Sequence, residues 1–148
     1  MRGAEVSRML GTVLIGAAVF WGAVGVSCAR SETITHDMGG SVSARLAQME
    51  TLSGVRIVGA CYSACTMLLG LPDTCVTKGA RLGFHGPSTR SVLPLPHSEW
   101  DRVSRVMAEQ YPPKLRLWFL AEGRRVTGKV IIKRGAELVR MGVKECRG

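Results

Sequence analysis

Three short features of the chain carry residue types suited to attack on a carbonyl carbon. The first is Gly39-Gly40, which closes an extended segment and precedes Ser41. Two glycines at such a point let backbone N–H groups approach a ligand closely, as an oxyanion hole requires. The second is Ser63, in the run GACYSACT, where an extended segment passes into a helical one. A serine there lies in the positive field of the helix N-terminus, and the N–H of Ala64 points the same way as its hydroxyl. The third is His85, in ARLGFHGP, at the end of an apolar strand. That position projects an imidazole into a cleft, where it serves as general base for Ser63. Taken singly, each has an ordinary explanation: a turn, a helix cap, a polar strand end. Their order along the chain is what draws them together.

The elements that must position these residues follow from periodicity and punctuation. Residues 33–36 read as a strand before the glycine pair. Ser41 is a natural N-cap for a helix with Val42, Leu46 and Met49 at helical spacing, ending near Ser53-Gly54. Residues 55–58 read as a second strand, with Gly59 as its end. A second helix is expected from Ser63 to Gly70, with Met67, Leu68 and Leu69 as core. Strands are expected at 74–77 and at 81–85, the latter ended by Gly86-Pro87. After a loop over 88–96 come a helix over 99–110, a break at Pro112-Pro113, and a helix over 114–122 carrying Leu115, Trp118 and Phe119 on one face. A strand over 130–132 and a helix over 136–141 complete the series. Strands alternating with helices point to an α/β fold. His36 and His97 have no role in this reading.

The chain has 148 residues, of which 46% are hydrophobic and 21% charged, which excludes a disordered tail. Residues 9–26 hold no charge, follow Arg2 and Arg8, and lead into Ser27, Cys28 and Ala29. This reads as a signal peptide over residues 1–29, with a retained membrane anchor as its rival. Both readings make residues 30–148 one exported domain, periplasmic or secreted. With 20 Lys and Arg against 11 Asp and Glu, the formal charge is +9, which favours anionic envelope polymers or a membrane surface as partners. The basic residues are scattered without aromatic interleaving, so no nucleic-acid partner is expected. Removal of Cys28 would leave Cys61, Cys65, Cys75 and Cys146, an even set whose default outside the cytoplasm is two disulfides. Three pairings remain open: Cys65–Cys75 would close a short loop, Cys61–Cys65 a tight one, and Cys146 would tie down the C-terminus. The spacing offers no paired C-x-x-C, so no metal is expected.

In order, DMGGSVSARL, GACYSACT and ARLGFHGP resemble the Clp protease proteolytic subunit and its secreted relatives within the crotonase-like fold. The closing Ala136-Glu137-Leu138 to Met141-Gly142-Val143 is similar to that family's last helix. The resemblance implies a spiral of β-β-α units, here in a small or truncated version. It implies Ser63 as nucleophile, His85 as base, and Gly39 or Gly40 with Ala64 as the oxyanion hole. It also implies a peptide or unfolded-protein substrate, no cofactor, and a homo-oligomer. The family's orienting aspartate falls before the last helix, yet residues 127–133 (TGKVIIK) contain no acid. Glu122 and Asp101 are the substitutes available, and Lys78 or Lys129 would serve a serine–lysine variant. The resemblance thus implies an exported serine hydrolase, most naturally a peptidase. The alternative is a catalytically inactive relative, stapled by disulfides, that acts as an envelope binding protein.

Overall fold

A computed structural model describes residues 32–89 and 93–147; the apolar run 9–26 and Cys28 lie outside the described residues. The fold is a mixed five-stranded sheet with helices, an α/β arrangement. Strand β1 (Glu32–Asp37) leads through the glycine pair into helix α1 (Val42–Met49), and β2 (Val55–Tyr62) follows. As its residue type demands, Ser41 caps α1: its Oγ accepts the Ala44 N–H at 3.2 Å. Strand β2 runs parallel to β1, to the short β3 (Cys75–Val76) and to β4 (Arg81–Phe84), while β5 (Ile131–Arg134) is antiparallel to β4. The order is β1-β2-β4-β5, with β3 on β2.

Gly59 does not end β2. The strand continues to Tyr62, because the register with β1 shifts between Ile34 and His36 and the irregularity absorbs an extra residue. Any Cβ on Gly59 would lie 1.9 Å from the Thr35 carbonyl oxygen, so glycine here permits close strand approach. The helix expected at Ser63 is a 3₁₀ helix, Ser63–Gly70, tied back onto β2 by a Cys61–Cys65 disulfide. It has no solvent face over Ala64–Leu68, consistent with its apolar composition.

Helices α2 (His97–Glu109) and α3 (Pro113–Ala121) are separated where Pro112-Pro113 predicted a break, with Pro113 in the first turn of α3, where its missing N–H costs nothing. A short 3₁₀ turn (Gly123–Arg125) and α4 (Gly135–Arg140) complete the elements. Ile57, Leu82 and Phe84 of the sheet, Met67 and Leu68 of the 3₁₀ helix, and Met107, Leu115 and Phe119 of the helical layer are at most 2% exposed and form one core. Each large apolar side chain so buried contributes about 1.5–3 kcal/mol before entropic costs. Phe84 meets Tyr111 and Trp118 edge-on, with centroids 5.6 and 5.5 Å apart, so the end of β4 is clamped by the α2–α3 link and by α3.

The second disulfide joins Cys75 to Cys146, so the Cys65–Cys75 pairing does not form. The C-terminal segment is also stitched to β3: Val76 N–H donates to Lys144 at 2.9 Å, and Cys146 N–H to Val76 at 3.0 Å. Two disulfides are bonds that persist in an oxidising compartment. Among the described residues, no helix is long and apolar enough to cross a membrane.

Candidate active site

The ends of β1, β2 and β4 meet at one cleft. Ser63 sits at the junction of β2 and the 3₁₀ helix with φ +56°, the one positive φ at a non-glycine among the described residues. This is a strained backbone for a residue with a Cβ, and such strain persists only where the surroundings enforce it. Here they do. The disulfide between Cys61 and Cys65 brackets Ser63 two residues away on either side. Thr66 Oγ1 donates to the Ser63 carbonyl at 2.8 Å, and the buried Tyr111 hydroxyl lies 2.7 Å from the same Thr66 oxygen. Since the Thr66 proton is committed to Ser63, Tyr111 is the donor in that second bond. A sharp strand-to-helix turn with a serine at a strained φ is the geometry that exposes a nucleophilic hydroxyl.

The glycine pair faces this turn. Gly39 and Gly40 have φ +98° and +122°, and a Cβ on Gly39 would stand 2.7 Å from Ser63 Cβ and 2.9 Å from the Ala64 nitrogen. The turn is built from the first strand onward. Asp37 accepts the Gly39 N–H at 2.7 Å through one oxygen and the Arg45 guanidinium at 2.7 Å through the other. Arg45, only 7% exposed, also donates to the Gly39 carbonyl and to Gln48. Sequence reasoning gave Asp37 no role of its own. The signal that marks its role is an acid two residues before a glycine and an arginine one helical turn into α1. The same bond corrects the assignment of Gly39: its N–H is spent on Asp37. Gly40 N–H makes no hydrogen bond among the described residues, and Ala64 N–H lies in the first helical turn, where no intrahelical acceptor exists. The available donor pair is therefore Gly40 and Ala64.

His85 follows β4 and lines the same cleft as Gly40, Ser41 and Ser63. Its Nδ1 lies 2.6 Å from the Gly86 carbonyl oxygen. A carbonyl only accepts, so Nδ1 carries the proton, and in the neutral ring the lone pair is on Nε2. Gly86 is itself fixed, since its N–H donates to Val126 at 2.8 Å and a Cβ there would stand 1.9 Å from the Arg124 carbonyl oxygen.

Neither expected acid stands against His85. Asp101 pairs with Arg105 and Arg124, at 2.8 and 2.6 Å, and those hydrogen bonds, Arg105 first, hold its carboxyl below the usual aspartate range. Its reach to the site is indirect, through Arg124, whose backbone presses on Gly86. Glu122 instead accepts the Trp118 indole N–H at 3.0 Å. Of the two lysines, Lys78 pairs with Glu145, whereas Lys129 lines the cleft. His36 and His97 are both exposed. Among the described residues, no three His, Cys, Asp or Glu side chains gather as a metal would require.

Ser63 on its strained turn, the Gly40 backbone and an imidazole of defined tautomer line one cleft, with the Ala64 N–H in the turn that follows the serine. These are the parts for nucleophilic acyl substitution. No protein-family model matches the chain, and no curated protein matches it in sequence.

Proposed function

We propose that this protein is an exported serine hydrolase, most naturally a peptidase, of the kind that the Clp protease proteolytic subunit and the crotonase-like fold exemplify. The observation that carries the reading is the positive φ of Ser63, enforced from all sides, in a cleft that His85 also lines. Ser63 Oγ attacks the substrate carbonyl while His85 Nε2 takes its proton, and the oxyanion develops beside the Gly40 and Ala64 N–H groups. Return of the proton to the leaving amine or alkoxide gives an acyl-serine. Water, deprotonated by the same nitrogen, then releases the acid and regenerates the hydroxyl. No step calls for a metal or a cofactor.

The Gly86 carbonyl takes over one task of the missing acid. Replacing the acid of a serine–histidine–aspartate triad by its amide costs about 10⁴ in rate because the imidazole adopts the wrong tautomer. A carbonyl at Nδ1 enforces the right one. It cannot offer a full negative charge to the imidazolium, so a slower enzyme than a full triad is expected.

The test is labelling of the disulfide-intact protein with a fluorophosphonate, beside Ser63→Ala. Labelling of the parent that is absent in the variant supports the reading. A folded, oxidised parent that resists the reagent would return the cleft to the alternative, a disulfide-stapled binding protein.

A further inference from the structure

The cleft continues on both sides of Ser63, and the two halves differ in character. One half, with a cavity volume of about 520 Å³, lies between α1 and α2 and presents Leu46, Leu95, Val103 and Met107. Its two charged residues among those described, Glu99 and Arg102, are bonded to each other at 2.6 Å, so the described lining of this half offers no net charge to a ligand. The other half, about 920 Å³, presents Met38, Tyr62, Val130 and Lys129, and no carboxylate among the described residues lines it. The nearest acid on β1, Asp37, is already spent on Arg45 and Gly39. Lys129 is exposed, follows Gly128 at φ +80°, and forms no ion pair among the described residues. Both halves share Gly40, Ser41 and Ser88, backbone and hydroxyl groups suited to an extended main chain that runs through.

We propose that Lys129 is a specificity residue: the cleft takes a peptide with an apolar side chain on one side of Ser63 and an acidic group on the other, read by the Lys129 ammonium. The inference rests on the hydrolase reading for the place of the reacting carbonyl at Ser63. The apolar side chain fills the α1–α2 half, while the carboxylate meets the Lys129 ammonium, the one formal charge that the described residues place in the opposite half. An exposed pair of this kind yields a modest preference, because water and salt screen it.

The experiment measures binding, so that it does not depend on turnover. Dye-labelled hexapeptides with one leucine, and a single Glu or Gln at varied distance on either side, are titrated against the oxidised full chain carrying Ser63→Ala. At one or more spacings the Glu peptide is expected to bind about two- to five-fold more tightly than its Gln twin. That advantage disappears with Lys129→Gln, inverts with Lys129→Glu, and survives Lys114→Gln, which removes an equal charge from α3. An advantage that survives Lys129→Gln overturns the proposal, as does its absence at every spacing. Binding of dodecanoate with no peptide bound would also overturn it, in favour of a lipid. Discrimination by Lys129 without fluorophosphonate labelling of the parent would remove the hydrolase reading and leave the acidic-peptide cleft. Labelling without discrimination would do the reverse.

Discussion

At the scale of single residues, the site separates groups that touch the cleft from groups that hold them. Ser63, His85 and Gly40 face it, whereas Asp37, Arg45, Thr66 and Tyr111 fix the turns from behind. The two acids available to substitute for the family's aspartate, Asp101 and Glu122, belong to neither group, and this yields a sharp expectation. Asp101→Asn and Glu122→Gln should leave the rate of Ser63 phosphonylation within a few-fold of the parent. His85→Ala should lower it by about 10²–10⁴, the range for loss of a general base. The rates are read from time courses of labelling at fixed reagent concentration. A loss in Asp101→Asn as large as that in His85→Ala would mean that an acid does orient the imidazole.

At the scale of elements, the two disulfides do different work. Cys75–Cys146 links residues 71 apart in sequence and binds the C-terminal segment to β3. On loop-closure entropy alone it is worth about 4 kcal/mol, against about 2 kcal/mol for the small Cys61–Cys65 loop. The expected pattern in denaturant titrations is therefore a larger stability loss for Cys75→Ala with Cys146→Ala than for Cys61→Ala with Cys65→Ala. Labelling of Ser63 should follow the opposite order in samples that remain folded, because Cys61 and Cys65 bracket the strained serine and Cys75 and Cys146 lie away from the cleft. Equal effects of both pairs on labelling would show that the bracket does not support the turn.

At the scale of the whole molecule, Tyr111, in the link between α2 and α3, joins that link to the 3₁₀ helix and to the rings of Phe84 and Phe119. It is 2% exposed, and burial pushes its phenol well above the ordinary tyrosine value, opposed in part by the Thr66 hydrogen bond. The folded value thus exceeds the unfolded one, about 10. Its contribution to stability is complete below pH 10 and is lost as pH rises beyond it, by about 1.4 kcal/mol per pH unit, since only the unfolded chain ionises there. Tyr111→Phe removes that slope and, at pH 8, costs about 1 kcal/mol through loss of the bond to Thr66. Thermal unfolding of both proteins between pH 8 and 11 checks the sign: the parent's excess stability should shrink with rising pH. A parallel decline in the two would assign alkaline loss to other groups.

Read by itself, the sequence determined what short-range physics controls. The Ser41 cap, the break at Pro112-Pro113, the strand before Gly86-Pro87 and the α/β alternation are dictated by local propensity and periodicity. The glycine pair, Ser63 and His85 were legible as candidates because residue type and order are local facts. Tertiary structure alone decided how they are held. That Gly39 spends its N–H on Asp37, leaving Gly40 as the donor, depends on Arg45 folding back from α1. That His85 is oriented by its neighbour's carbonyl depends on residues 124–126 packing onto Gly86. The disulfide pairing, the extension of β2 through Gly59 and the charge of the cleft's far half belong to the same class. Each is set by contacts between residues distant in sequence, and a single chain records the residues of such a contact without recording that they meet.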